Sequence, residues 1–269
     1  MDNRPIGVFD SGLGGLTCVR EIMNIMPGED VIYFGDTGRV PYGSRGNETL
    51  LKYVRQDIRF LETFDIKMII IACGTASSAA LPWISSEFET RIVGVVEPAA
   101  KAAVKATKTK RIGVLGTSGT IKSGKYPEYI KSICPEAEVF QKACPMFVPL
   151  VENGYSSSQV TKIFAEEYLE EIKKQDVDTI ILGCTHYPLL KQVIGEIMGE
   201  SVTLIDSGAA GADCALELLK EKNMLCEKNE KGGYRYFVSD ATEDFVKLGS
   251  MFLSCPIDET VHKVDIEKY

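Results

Sequence analysis

Short apolar runs alternate with amphipathic segments along most of this chain. Segments such as 47–63 and 157–174 repeat apolar residues at helical spacing. The apolar runs are rich in β-branched and aromatic residues and end near Phe9, Phe34, Ala72, Val96, Leu115, Phe140, Leu182, Ile205 and Val238. Buried strands that alternate with helices are typical of α/β folds built on a mostly parallel sheet. The pattern therefore predicts such a fold, with functional residues beyond the carboxyl ends of the strands.

Two of these runs end in a cysteine that a threonine closely follows. Cys73 and Cys184 each close a β-branched run, and each precedes a segment that favours a helix start. The free N–H groups at a helix start favour an anion, so a thiol placed there tends towards thiolate. A lone cysteine at a strand end is more often a small buried apolar residue. The repetition favours the alternative, in which both thiols face one substrate.

A second repeat indicates two related halves. The tripeptide Asp-Ser-Gly follows a strand-like run at 10–12 and again at 206–208, and no Ser/Gly-rich linker divides the chain. We expect one lobe from residues 1–97 with 207–269, and a second lobe from residues 98–206. Each lobe would be a mostly parallel sheet flanked by helices and would carry one of the two cysteines. The two lobes would be pseudo-symmetric about a cleft that holds the active site.

The composition is that of an ordinary globular protein. The chain has 269 residues, of which 45% are hydrophobic and 25% charged, and its formal net charge is −8. It has no basic cluster of the kind that binds nucleic acid, and no apolar run approaches the length of a membrane span. Eight scattered cysteines, no CxxC pair and no signal peptide predict reduced thiols in a cytoplasmic protein. Two histidines give little support for a Cys/His metal site.

Two glycine-rich segments partly match nucleotide-binding motifs. Residues 12–17 follow a strand, but Thr17 stands where a dinucleotide fingerprint needs its third glycine. Residues 119–125 match a phosphate loop until Tyr126 replaces the magnesium-binding Ser or Thr. Tight strand-to-helix packing explains these glycines better. The sequence therefore predicts no nucleotide, metal ion or pyridoxal phosphate as a cofactor.

A further set of motifs occurs in order between Ile6 and Gly208. They are Asp10-Ser11-Gly12 with Gly14-Gly15-Leu16, Pro41-Tyr42-Gly43, Ala72-Cys73, Thr75-Ala76-Ser77, Leu150-Val151-Glu152 and Gly183-Cys184-Thr185-His186-Tyr187-Pro188-Leu189. Together they resemble the glutamate racemases of the cofactor-independent aspartate/glutamate racemase superfamily. The resemblance implies two α/β lobes that enclose D- or L-glutamate, and a role in supplying D-glutamate for peptidoglycan.

The same resemblance implies roles for single residues. Cys73 and Cys184 would be the two acid/base residues, supported by Asp10, Glu152 and His186. Substrate contacts are implied for Asp10, Ser11, Pro41, Tyr42, Gly43, Gly74, Thr75, Thr117, Thr120, Thr185 and His186. The expected partner is a small molecule, glutamate, and the sequence does not decide between a monomer and a homodimer.

Inversion at an α-carbon requires a proton to leave one face while another arrives at the opposite face. Two thiols of similar basicity suit this task. A racemase of aspartate or another acidic amino acid would share both cysteines and differ in the length of its pocket. A non-catalytic binding protein for acidic amino acids would need neither thiol.

Gly74 departs from the family pattern, which usually has asparagine after the first catalytic cysteine. Asparagine would restore a side-chain amide facing the substrate. We therefore expect Gly74→Asn to be tolerated and to preserve or modestly strengthen glutamate binding, by about 0.5 to 1.5 kcal/mol.

Overall fold

The computed structural model describes residues 1–228, 230–240, 242–258 and 260–269. Its strands are β1 (Ile6–Asp10), β2 (Val31–Gly35), β3 (Met68–Ile71), β4 (Ile92–Gly94), β5 (Arg111–Gly116), β6 (Glu138–Ala143), β7 (Thr179–Leu182), β8 (Thr203–Asp206), β9 (Tyr234–Val238) and β10 (Val261–Lys263). Their order is β10-β9-β2-β1-β3-β4 in a six-stranded sheet and β6-β5-β7-β8 in a four-stranded sheet. Neighbouring strands pair in parallel throughout both sheets.

Helices occupy most of the remaining chain. The α-helices are α1 (Leu16–Ile25), α2 (Asn47–Glu62), α3 (Gly74–Ala79), α4 (Leu81–Ile84), α5 (Val96–Ala106), α6 (Ser118–Lys122), α7 (Lys125–Ile133), α8 (Phe147–Glu152), α9 (Gln159–Lys173), α10 (Lys191–Met198), α11 (Ser207–Glu221) and α12 (Thr242–Leu253). Short 3₁₀ helices span Tyr42–Ser44, Ser85–Glu87, Tyr187–Leu190 and Ile266–Lys268. Within the described residues, no helix is both long and apolar enough to cross a membrane.

Burial on both faces explains the composition of the central strands. Every residue of β3 (Met-Ile-Ile-Ile) and of β7 (Thr-Ile-Ile-Leu) is buried, as expected where helices cover both sides of a parallel sheet. One hydrophobic cluster joins the two sheets, because it contains Leu16 of α1 together with Leu182 of β7. Helix α1 also packs on α11, close to where the chain leaves the second sheet. The two sheets are therefore held against each other by a shared core.

The predicted fold class is confirmed: the protein is α/β, with two parallel sheets flanked by helices. All nine predicted strand runs form strands, and the run near Val96 ends slightly earlier, at Gly94. The sequence pattern missed β10, a three-residue strand in the polar C-terminal region. The first sheet takes its strands from residues 6–94 and 234–263, and the second from 111–206. The lobe boundaries at 97/98 and 206/207 stay a prediction.

Candidate active site

A cavity of about 630 Å³ lies at the carboxyl ends of the strands, where the two sheets meet. The first sheet contributes Asp10 and Cys73, and the second contributes Thr117 and Cys184. Every residue that the sequence nominated lines this one cavity: Asp10, Ser11, Pro41, Tyr42, Gly43, Cys73, Gly74, Thr75, Thr117, Thr120, Glu152, Cys184, Thr185 and His186. The topology thus brings together residues that are far apart in the chain. All eight cysteines are free thiols.

Cys73 lies between the end of β3 and the start of α3, beside Ser11 and Asp10. Its Sγ is 3.6 Å from Ser11 Oγ, to which it donates. Burial, and then the nearby Asp10 carboxylate, raise the pKa of Cys73 to about 12. Asp10 is itself buried, and burial raises its pKa, although His186 and nearby backbone N–H groups oppose the shift. At neutral pH this arrangement keeps Cys73 as a protonated thiol.

Cys184 lies at the end of β7, and its partner is a histidine. Its Sγ is 3.9 Å from His186 Nδ1, and His186 Nε2 is 2.9 Å from Glu152 Oε1. Burial alone would lower the pKa of His186, but hydrogen bonds with Cys184 and Glu152 raise it to about 10. His186 is therefore an imidazolium at neutral pH, placed between a thiol and a carboxylate. Cys184 has a cation beside it, whereas Cys73 has a carboxyl group.

The structure after Cys184 differs from the helix start that the sequence predicted. The chain there begins with the 3₁₀ helix Tyr187–Leu190, and α10 starts only at Lys191. By contrast, Cys73 directly precedes α3. The positive end of an α-helix thus does not explain the environment of Cys184. The cation beside this thiol is supplied by the side chain of His186.

Three threonine hydroxyls bridge the two sheets across the cavity. Thr75 Oγ1 lies 2.9 Å from Thr117 Oγ1 and 3.4 Å from Thr120 Oγ1. Thr117 and Thr120 are 3.1 Å apart, and Thr117 also caps α6 by accepting from the Thr120 N–H. Hydroxyl groups can both donate and accept, so this cluster can rearrange to bind a carboxylate.

The segment Pro41-Tyr42-Gly43 forms another wall of the cavity. The Tyr42 hydroxyl is hydrogen-bonded to Asp36 and Asp57, neither of which lines the cavity. Gly43 faces α6, because a Cβ atom placed on it would lie 3.2 Å from Thr117 Oγ1. This turn from the first half of the chain therefore packs directly against the second half.

The structure argues against the expected tolerance of Gly74→Asn. A Cβ atom on Gly74 would lie 2.4 Å from the carbonyl oxygen of Gly183, closer than side-chain atoms approach backbone in proteins. Any side chain at this position requires the backbone to shift. Gly74 thus provides close backbone packing, which a single sequence could not reveal.

Several lining residues were missed by the sequence prediction. Lys122 lies one helical turn after Ser118, and Val148 lies one turn before Glu152; all four line the cavity. Helical periodicity before the nominated Glu152 could have found Val148, whereas Ser118, the residue one turn from Lys122, was not itself nominated. Of the described residues that line the cavity, Lys122 is the only lysine or arginine. It adds a cation to a site that otherwise has two carboxyl groups and one histidine.

The α/β fold and a cleft lined by one thiol from each sheet suit an enzyme that moves protons on both faces of a carbon atom. The model of the Asp/Glu/Hydantoin racemase family matches residues 18–215, and the chain belongs to this family of isomerases.

Among curated proteins, the glutamate racemase of Geobacter metallireducens is 46% identical over 264 residues, which cover 98% of this chain and 97% of the relative. Among solved structures, a glutamate racemase isoform of Bacillus anthracis matches with a TM-score of 0.94 and 35% identity over 98% of both chains. The glutamate racemase of Francisella tularensis, solved in complex with D-glutamate, matches with a TM-score of 0.92 and 36% identity over 100% of both chains. An aspartate racemase of Picrophilus torridus, at 17% identity and a TM-score of 0.58, shares the fold alone.

Proposed function

We propose that the protein interconverts L-glutamate and D-glutamate, with Cys73 and Cys184 exchanging protons with opposite faces of the α-carbon. The observation that carries this proposal is the convergence of two cysteines, one from each sheet, on one cavity. Glutamate is supported by full-length relatives that are named glutamate racemases and by the D-glutamate complex of the Francisella enzyme. The aspartate racemase neighbour has too little identity to favour aspartate.

The different surroundings of the two thiols support a division of labour before substrate binds. Cys73, whose pKa is raised to about 12, starts as the thiol and is the acid. Cys184 lies 3.9 Å from His186 Nδ1, so a group that can exchange its proton is in contact with it, and we propose Cys184 as the base. From the family resemblance we assign Cys184 to the α-proton of L-glutamate and Cys73 to that of D-glutamate.

In the L-to-D direction, the Cys184 thiolate takes the α-proton, and the electron pair of the broken C–H bond passes to the α-carbon and its carboxylate. The thiol of Cys73 then gives its proton to the opposite face, which forms the new C–H bond of D-glutamate. Cys184 ends as a thiol and Cys73 as a thiolate, the state required for the reverse reaction. Because the α-proton is weakly acidic, positioning and exclusion of water must provide most of the barrier reduction.

Resetting the two thiols requires protons to move to and from water. On the Cys184 side, His186 contacts Glu152, whose side chain is 38% exposed. This chain of groups provides a route from Cys184 to solvent. On the Cys73 side, Asp10 is 1% exposed, and its Oδ1 is a buried oxygen without a hydrogen-bond partner. We infer that Asp10 exchanges protons locally with Cys73 or with the bound substrate.

Substrate binding must come from local donors, because the protein as a whole is acidic. Ser11, Thr185 and the three threonines between the sheets provide hydroxyl donors for the two carboxylates of glutamate. The Tyr42 hydroxyl is already engaged, so this turn would bind through the backbone N–H groups of Tyr42 and Gly43. Lys122 provides a cation within the cavity lining.

A circular dichroism assay tests the proposal directly. Enzyme added to L-glutamate should abolish the ellipticity of the solution, and enzyme added to L-aspartate should not. If the signal is lost with aspartate and not with glutamate, the substrate is aspartate. If it changes with neither amino acid, the racemase function is refuted.

We further propose a cytoplasmic enzyme that supplies D-glutamate for peptidoglycan. A homodimer is a separate hypothesis, which light scattering of the purified protein would test.

A further inference from the structure

A buried cluster of charged residues lies behind Tyr42, outside the lining of the cavity. Asp36 follows β2, Asp57 belongs to α2, and Arg39 lies between them in the chain. Both aspartate side chains are fully buried, and the Arg39 side chain is 10% exposed. The phenol of Tyr42 points into this cluster and contacts both carboxyl groups.

If both aspartates are ionised, the cluster has too few hydrogen atoms to make a hydrogen bond at each of the two contacts of Tyr42 Oη. Tyr42 Oη lies 2.5 Å from Asp36 Oδ2 and 2.8 Å from Asp57 Oδ2. A phenol has one hydrogen, so it can donate to only one of these two oxygens. The other contact would then press two bare oxygens together in a buried site, which is costly. One of the two carboxyl groups must therefore carry a proton of its own.

Arg39 cannot supply the missing hydrogen between Tyr42 and the second aspartate, since none of its donors is directed at that contact. Its Nε donates to Asp36 Oδ2 at 2.7 Å, and a terminal nitrogen donates to the other oxygen of Asp57, Oδ1, at 3.0 Å. The remaining terminal nitrogen donates to Gln56 and to Glu267. A single buried guanidinium thus faces two buried carboxyl groups. Their summed charge is zero only when one of the carboxyl groups is neutral, and burial favours that state.

The contacts distinguish the two aspartates. Asp36 Oδ2 accepts from both the Arg39 guanidinium and the Tyr42 hydroxyl, as an ionised carboxylate does. The contact between Tyr42 and Asp57 is longer and has the ordinary length of a hydrogen bond between neutral oxygens. The extra proton therefore belongs on Asp57.

We propose that Asp57 is a neutral carboxylic acid at neutral pH that donates its proton to Tyr42 Oη and thereby positions the turn 41–43 of the active site. This inference rests on the proposed function where it concerns the substrate. Tyr42, fixed by its hydroxyl, holds the turn against α6, where the carbonyl oxygen of Gly43 lies 2.8 Å from the position of a Cβ on Gly119. Ionising Asp57 would place a second negative charge beside Asp36 and release Tyr42.

The electrostatic surroundings agree with this geometry. Burial, and then the Asp36 carboxylate, raise the pKa of Asp57 well above its ordinary value, although Arg39 opposes the shift. The charged or titratable groups that face the cluster come from the 36–42 loop, from α2 and from the C-terminal 3₁₀ helix; they are Asp36, Arg39, Tyr42, Lys52 and Glu267.

Two asparagine substitutions at neighbouring positions test the inference, because they should have opposite effects. In Asp57→Asn, the amide can donate to Tyr42 and accept from Arg39, as the neutral acid does. We expect KM for glutamate within about twofold of the original protein, because no hydrogen bond is lost. Asp36→Asn leaves the buried guanidinium without a buried anion. Here we expect KM to rise about tenfold or more, which corresponds to about 1.4 kcal/mol, with a smaller change in kcat.

Two further measurements do not depend on turnover. The infrared difference spectrum of the original protein minus Asp57→Asn, at neutral pH, should contain the C=O stretch of a protonated carboxylic acid. Thermal unfolding should show a pH trend with a defined sign. Since the folded state holds a proton that the unfolded state releases, the original protein loses stability relative to Asp57→Asn as pH rises above 3.8, the ordinary pKa of an aspartate, towards the raised pKa of the folded state. The melting temperature of Asp57→Asn minus that of the original protein should therefore increase over this range.

Each outcome decides the question. If Asp57→Asn raises KM as much as Asp36→Asn does, or if the carboxylic acid band is lost in Asp36→Asn and kept in Asp57→Asn, the inference is wrong. A melting temperature difference that stays constant with pH would also overturn it. If Asp36→Asn fails to fold, the infrared and unfolding data on Asp57→Asn still decide. If no variant racemises glutamate but the infrared band is present, the proposed function fails and the protonation of Asp57 stands.

Discussion

Gly74 and Gly183 are in direct backbone contact across the two sheets: a Cβ atom on Gly74 would lie 2.4 Å from the carbonyl oxygen of Gly183. Gly74 follows Cys73, and Gly183 precedes Cys184. The contact therefore holds together the two backbone segments that carry the proposed acid and base. The Gly183 N–H is bonded to the carbonyl oxygen of Leu115 at 2.8 Å, which anchors this residue to the second sheet.

We predict that Gly74→Ala and Gly74→Asn both destabilise the protein and reduce racemisation. Overpacking of this kind costs about 1 to 3 kcal/mol. A displacement of one thiol relative to the other by about 1 Å can lower kcat about 10²-fold. Thermal unfolding and kcat measured in both directions check these two effects.

Gly195→Ala is the matched control for this prediction. Gly195 lies inside α10, and a Cβ atom added to it would have no neighbouring atom within 4 Å beyond the backbone of its own helix. Alanine should therefore stabilise the protein by about 0.5 to 1 kcal/mol and leave kcat unchanged. If Gly74→Asn binds glutamate more tightly and keeps kcat, the contact with Gly183 does not restrict the site.

The sequence predicted which residues meet but not how closely. The positions of strand ends were enough to place both cysteines and Asp10 on one cavity, because ligand sites form at the ends of parallel strands. Glu152, at the end of helix α8, came from the motifs that resemble the racemase family. The contact of Gly74 with Gly183 depends on the distance between the sheets, which many side chains far from the site determine. The same applies to Tyr42, whose hydroxyl binds two buried carboxyl groups that do not line the cavity.

Strand β10 shows a different limit. Its three residues, Val-His-Lys, lie in a polar segment and have no apolar alternation to indicate a strand. Pairing with β9 determines their conformation, and His262 remains exposed while its ring stacks on Phe237. Tertiary context, rather than local propensity, thus forms the edge of the first sheet.

The pKa of His186 gives a prediction for Glu152→Gln. In the original protein this pKa is raised to about 10, in part by Glu152. The stabilisation from the imidazolium is fully present below about pH 6.5 and is lost as pH rises through about 10. Glu152→Gln removes the negative charge, so the alkaline limb of kcat/KM should shift to lower pH. Since Glu152 is partly exposed, we expect a shift of about one unit or less.

Glu136→Gln is the control for this pH profile. Glu136 pairs with Lys110 on the surface, where both side chains are more than half exposed, and removing this pair should leave the profile unchanged. An alkaline limb that does not move in Glu152→Gln would show that the pair of His186 and Glu152 does not govern the pH dependence of the reaction.

Racemisation should proceed without pyridoxal phosphate, metal ion or nucleotide, because the two thiols provide both proton carriers. Protein purified in cofactor-free buffer and dialysed exhaustively against a chelator should retain its full kcat. Activity that is lost on dialysis and restored by adding one of these cofactors would contradict the two-thiol mechanism.

The separate roles of the two thiols predict opposite behaviour for Cys73→Ser and Cys184→Ser. Serine is far less acidic than cysteine, so each substitution should lower kcat for racemisation by about 10²- to 10⁴-fold. Each variant nevertheless keeps one thiol that can act as a base. An analogue of glutamate with a β-leaving group needs only removal of the α-proton for elimination.

With such an analogue, Cys73→Ser should process the L-enantiomer, through Cys184, and Cys184→Ser should process the D-enantiomer, through Cys73. The surroundings of the thiols add a quantitative expectation. Cys73 has a pKa of about 12, so Cys184→Ser should eliminate slowly at neutral pH and accelerate as pH rises. Cys73→Ser should be active already at neutral pH, because His186 remains beside the thiol of Cys184.

Cys144→Ser serves as the control, since this buried cysteine does not line the cavity. If both active-site variants prefer the same enantiomer, or if either remains fully active as a racemase, the two cysteines do not act on opposite faces of the substrate.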